Sequence, residues 1–205
     1  MDSDSCHIVD CTSYGWKTLN EIRHNLETIG YAKVKLSQLD RKLVFHTDCS
    51  YEENAPKFVA LYVVQCDRTD DGEKFQMVKT SEIIEKLSHK SQKLLKEETY
   101  KIRVSPDFRK GETEYICGPI LIADGHMKYR RDIIDKIQLK NETIEKQHAI
   151  NELNSIILSE NKLNIFRSLF ENNMMVLSNN AKYLHRRSKI KDLERYFLRI
   201  RSNLI

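Results

Sequence analysis

Hydrophobic positions recur along this chain in two rhythms, a helical one in three stretches and a strict alternation in many short ones. Leu19, Ile22, Leu26 and Ile29 are spaced for one face of a helix over 16–29, with Gly30 as a stop signal behind it. Residues 80–97 read as a second helix capped by Thr80 or Ser81. Residues 141–158 read as a third, with Ile144, His148, Leu153 and Ile157 near one face. Strands are expected at 31–36, 42–48, 58–66 and 75–79, the third of them apolar enough to be buried on both sides. Between 99 and 129 Pro106, Gly111, Gly118-Pro119 and Gly125 break several short strand candidates. Four more strands, at 165–170, 174–178, 183–185 and 195–200, close the chain. Many short strands with helices outside them imply a mainly β fold, a compact double-stranded β-helix or jelly roll. Residues 1–15 read as a flexible tail on a single domain spanning 1–205.

Composition narrows the setting. Hydrophobic residues at 40% and charged residues at 31% suit a soluble globular protein and exclude a disordered one. The longest apolar run, 58–64, is too short to cross a bilayer, so no membrane partner is expected. The N-terminal Met1-Asp2-Ser3-Asp4-Ser5 has no apolar core of a secretory signal. Five cysteines without a CxxC pair imply reduced thiols and a cytoplasmic setting. A net charge of +4 is too mild to imply the concentrated basic face of a nucleic-acid-binding protein.

The candidate chemistry lies in two widely separated segments. His46 and Asp48 alternate on a predicted strand and project the same way, and His185 lies on a late one. Two imidazoles and a carboxylate occupy one face of a metal and leave the other positions open, as non-haem Fe(II) requires for O2 chemistry. His46 with Asp48 alone is an ordinary surface pair; the segment after His185 changes the weight. There Arg195, Phe197, Arg199 and Arg201 fall on one face of a strand. Guanidinium groups turned inwards beside a metal call for an anion, and a dicarboxylate cosubstrate that chelates the iron supplies one. Among the other histidines, His24, His89 and His148 sit on predicted helices as solvated or packed residues, and His126 sits in a turn. His7 between Cys6 and Cys11 has poor spacing for zinc. Cys49 is expected to point away from Asp48 and to pack, and Arg186, Arg187, Lys189 and Lys191 read as a solvated loop.

With His46-Thr47-Asp48-Cys49-Ser50-Tyr51, Pro56, strand 58–62, Asp71-Gly72-Glu73, 176–180, Leu184-His185-Arg186-Arg187 and 195–199 in this order, the chain resembles the taurine dioxygenase and clavaminate synthase-like superfamily. These are Fe(II)/2-oxoglutarate-dependent oxygenases. The resemblance implies His46, Asp48 and His185 as iron ligands, Arg195 on the far carboxylate of 2-oxoglutarate and Arg199 on the substrate, roles that the two arginines could exchange. It implies O2 as co-reactant and a small molecule, an amino acid or amino-acid-like metabolite, as substrate. Because related halogenases lack the carboxylate, Asp48 implies hydroxylation or another hydrogen-abstraction outcome. Three departures stand out. Lys74 replaces a threonine that assists the cosubstrate in relatives and is a candidate for the same carboxylate. Arg186 replaces a glycine, and the segment before His46 is short. The rival reading is a metal-binding jelly roll without oxygenase activity, used for binding or regulation.

Overall fold

The computed structural model describes residues 7–10, 33–36, 43–69, 74–104, 106, 109, 111–122, 126–131, 142–188, 191–192 and 194–202. The expected helix at 16–29 and the glycine turns at Gly72 and Gly125 lie outside them. Two antiparallel sheets dominate. One has the order β1 (His7–Asp10), β11 (Met174–Asn179), β4 (Phe58–Gln65), β13 (Tyr196–Ser202), β2 (Lys33–Leu36). The other runs β10 (Phe166–Leu169), β5 (Lys74–Lys79), β12 (Tyr183–Arg187), β3 (Leu43–His46). Two short pairs, β6 (Tyr100–Arg103) with β7 (Tyr115–Gly118) and β8 (Leu121–Ile122) with β9 (His126–Met127), account for the broken middle. Within the expected tail, β1 forms an outer strand of the first sheet, its Ile8-Val9 pairing with Val176 and Met175.

Alternation sorts the strand residues into three layers. Val63, Phe75, Met77, Phe170, Val176 and Phe197 come from both sheets and fill the gap between them. Phe58, Ala60, Tyr62, Leu198 and Ile200 form the other face of the five-stranded sheet. Phe45, Val78 and Leu184 point from the far side of the four-stranded sheet into a helical layer that includes Ile83, Leu95, Ile150 and Leu153. The expectation that β4 is buried on both faces therefore holds from Phe58 to Val63.

The helices differ from expectation in detail. Residues 80–97 form two, α1 (Thr80–Glu85) and α2 (His89–Glu97), because Ser88 starts a new helix by accepting from Ser91 N–H. Ser88 is itself fixed by Glu152, which accepts from its N–H at 2.7 Å and its hydroxyl at 2.8 Å. Residue Lys79, not Thr80 or Ser81, caps α1, with no side-chain bond. Helix α3 (Ile144–Leu158) starts at the Thr143 cap and buries Ala149, Ile150, Leu153 and Ile157. That stripe is rotated from the expected one: Ile144 is 70% exposed and His148 is exposed.

Candidate metal centre

Strand register brings the two histidines together. Residue His185 on β12 pairs directly with His46 on β3 and, across the other edge, with Met77 on β5. Directly opposed residues project to one face with their Cβ atoms about 5 Å apart, and the two rings lie with centroids 4.5 Å apart. That face is the one carrying Phe75 and Met77, so both imidazoles enter the gap between the sheets.

Asp48 arrives by another route. Strand β3 ends at His46, and Asp48 sits in the following turn, where Cys49 takes φ 56°. The expectation that strand alternation alone aligns His46 with Asp48 is corrected: the turn curls the carboxylate back. Its Oδ1 lies 3.8 Å from His46 Nε2 and 4.0 Å from His185 Nε2. Ligand-capable atoms of all three side chains fall within 4.8 Å of one another, and all three residues are buried. Cys49 turns inwards rather than away, accepting from Arg201 Nη1 at 2.8 Å. Burial foremost, with the Asp48 charge, pushes its thiol up to about 11, so it packs as a neutral group.

The protonation states suit a cation. Burial, followed by His185, lowers His46 to about 3, and burial likewise lowers His185. Both imidazoles are therefore neutral at pH 7, with nitrogen lone pairs free of a competing proton. His46 donates Nδ1–H to Val44 C=O at 2.7 Å, which fixes the tautomer that turns Nε2 towards the carboxylate. Burial opposes ionisation of Asp48, but positive neighbours, Arg199 first, outweigh it and hold the carboxyl at about 2. Asp48 Oδ2 is buried and makes no hydrogen bond. An ionised oxygen without a partner, next to two neutral imidazoles, is a donor set that fits a divalent ion.

The arginines divide by depth. Arg199 Nη1 donates to Asp48 Oδ1 at 3.0 Å, and Arg201 pairs with Glu52 at 2.8 Å. Arg195 is 3% exposed and stacks its guanidinium 3.6 Å over the ring of Phe197. From there Phe197, Phe170, Phe75 and His185 follow ring to ring at 4.7, 5.1 and 5.8 Å. The shared face expected for Arg195, Phe197, Arg199 and Arg201 is thus observed for the last three, with Arg199 touching the triad, while Arg195 is buried just ahead of β13 and its register shift at Tyr196/Phe197. Lys74 does not join it. Phe75 and Met77 face the gap, so Lys74 faces away with Gln76 and is exposed.

Two basic residues expected in a solvated loop belong to β12. Arg187 is 5% exposed. Arg186 lies 4.5 Å over the ring of Phe45 and donates to Gln76 at 2.5 Å and to the Glu160 carboxylate, tying β12 to the turn after α3. Its replacement of a glycine thus has a structural reason. Arg130 forms a β-bridge to His46, and its charge bears on all three triad residues. Thr47 holds this side, its N–H donating to Tyr129 C=O at 2.9 Å and its Oγ1 accepting from Tyr129 N–H at 3.1 Å.

No family model and no curated protein matches the sequence. Solved structures do match its architecture. An asparagine oxygenase in complex with Fe(II), 3-hydroxyasparagine and succinate aligns over 98% of this chain with a TM-score of 0.74 and 14% identity. The chain thus shares the fold of that oxygenase. OrfP, a non-haem iron oxygenase solved with Fe, succinate and (3S)-hydroxy-L-Arg, aligns over 89% of this chain at a TM-score of 0.65 and 14% identity. A further OrfP structure holds Fe and α-ketoglutaric acid and aligns at 0.63. The chain spans 75% of the first structure and 49% of another asparagine oxygenase, so it is shorter than these neighbours.

Proposed function

We propose that this chain is an Fe(II)- and 2-oxoglutarate-dependent oxygenase of amino acids or amino-acid-like metabolites. We read its two sheets as a compact jelly roll forming a single domain. The observation that carries the reading is the buried convergence of His46, Asp48 and His185 in the gap between the sheets. With iron, 2-oxoglutarate and O2 bound, the ketoacid is split to succinate and CO2 while one oxygen atom enters an unactivated C–H bond of the substrate.

The chain's own residues perform the rest. His46, Asp48 and His185 would hold the ion through two neutral nitrogens and an ionised oxygen. Arg199 supplies the inward charge closest to the ligands and is assigned to the far carboxylate of 2-oxoglutarate, the role that the resemblance first implied for Arg195. Phe75, Met77, Phe170 and Phe197 line the gap and keep water from the reacting centre. A cavity of about 310 Å³ opens beside the loop that follows Asp48. Val104, Ile116, Glu52 and Glu53 are among its lining residues, and Glu52 is already paired with Arg201.

The test is succinate formation from 2-oxoglutarate by iron-loaded protein in air, with amino acids supplied as substrates and the product weighed for one added oxygen atom. Wild type is expected to form succinate and the heavier product, and Asp48→Ala to form neither. Fully metallated wild type that releases no succinate, even without substrate, would favour the metal-binding jelly roll that lacks oxygenase activity.

A further inference from the structure

We propose that Asn180 is the positioning residue that sets the Asp48 ligand, an inference that rests on reading His46, Asp48 and His185 as a metal centre. His46 and His185 owe their relation to strand register, which needs no further support. Asp48 has no such support, because it lies past the end of β3 in a turn. The next residue, Cys49, has a backbone conformation, φ 56°, that a side chain other than glycine rarely adopts. Something must hold that turn against relaxing.

The side-chain amide of Asn180 holds it from both sides. Its Oδ1 accepts from Asp48 N–H at 2.7 Å, and its Nδ2 donates to Asp48 C=O at 2.9 Å. The second Nδ2 hydrogen goes to Pro56 C=O at 3.0 Å, closing the far end of the same loop. Both amide donors and the carbonyl are thus used, at a residue only 2% exposed. No other side chain meets all three demands at this length: aspartate has no donors, serine has one, and glutamine is a methylene too long. Asn180 is anchored in turn, its own N–H donating to Lys57 C=O at 2.8 Å. It stands just before β12, the strand that carries His185, so it fixes the carboxylate-bearing turn relative to a histidine-bearing strand.

The experiment uses the full-length protein and cobalt(II), whose visible absorption reports coordination without any turnover. Asn180→Asp is expected to weaken cobalt binding about 10- to 100-fold, the range for losing a group that orients a ligand. Asn180→Ser, whose shorter hydroxyl falls short of the Asp48 N–H and adds no charge, is also expected to weaken cobalt binding about tenfold or more, and it provides the measurement if Asn180→Asp does not fold. Glu152→Ala is the stability control, since it breaks the Ser88–Ser91 staple on the helical layer. It should lower the melting temperature yet leave cobalt affinity within about threefold of wild type, as expected for independent sites. Asn180 variants that bind cobalt as tightly as wild type, or lose affinity only as far as Glu152→Ala does, would overturn the assignment. Wild type that binds no cobalt, or Asp48→Ala that binds as well as wild type, would instead overturn the metal centre and the inference with it.

Discussion

Arg199 lies on the last strand and Arg195 just ahead of it, and their surroundings give them different work. Arg199 reaches an ionised ligand oxygen at 3.0 Å, whereas Arg195 lies flat on Phe197 with two further phenyl rings between it and His185. A planar bidentate fork grips a carboxylate in a way that a lysine ammonium does not, so exchange for lysine keeps the charge and removes the grip. Arg199→Lys is expected to raise KM for 2-oxoglutarate by about tenfold or more, while Arg195→Lys raises it by less than about threefold. Steady-state succinate formation at saturating substrate measures both. The opposite order would return the cosubstrate to Arg195, as the family resemblance first implied.

At the level of elements, the end of β4 organises the start of β13. Asp67 is buried and accepts from the N–H groups of Thr69, Lys191 and Asp192 at 3.0, 2.8 and 3.2 Å, besides the Thr69 hydroxyl. These bonds hold its carboxyl at about 2 despite burial. Arg68, next to it, bonds Asp192 at 2.6 Å and Glu194 at 2.5 Å, but it is exposed and adds little. Asp67→Ala is expected to cost about 2–4 kcal/mol, lowering Tm by roughly 5–15 °C in a domain of this size. Differential scanning calorimetry decides it: an unchanged Tm would show that the loop ahead of Arg195 needs no such clamp. The hydrophobic pattern leaves 67–72 only as a gap between the strands expected at 58–66 and 75–79. Loop-to-loop clamping leaves no periodic signal, and Asp67, Asn180 and Arg130 were legible only as polar residues near turns or inside a matched segment. Strand faces fared better, because alternation is local: the inward Phe197, Arg199 and Arg201 of β13 and the double burial of β4 are legible in the pattern alone.

Across the whole molecule, two sheets sandwich a buried polar centre, and the same arrangement that prepares it for a metal exposes the fold to acid. The sequence showed which three side chains would meet but misassigned the cause, since His46 and Asp48 converge through a turn rather than along a strand. Their burial, invisible in the sequence, governs the response to pH. His46 titrates near 6.5 in the unfolded chain but at about 3 when folded, chiefly through burial. Between these values the unfolded state holds a proton that the folded state refuses, so stability rises with pH and falls as pH drops below 6.5. Asp48, lowered from 3.8 to about 2, acts in the same direction further down: its contribution is intact above 3.8 and is lost as pH falls through 2. At 1.36 kcal/mol per pH unit, the His46 contribution alone is on the order of a few kcal/mol across its window. Urea unfolding of the metal-free protein should therefore show a midpoint that is flat above pH 7 and declines steadily from pH 6.5 to pH 4. His46→Asn, which has nothing to titrate there, should make that decline shallower, leaving the part that comes from the lowered His185. A wild-type midpoint as high at pH 4.5 as at pH 7 would mean that His46 meets solvent, and with it that the triad is not the buried, dry centre from which the proposed chemistry follows.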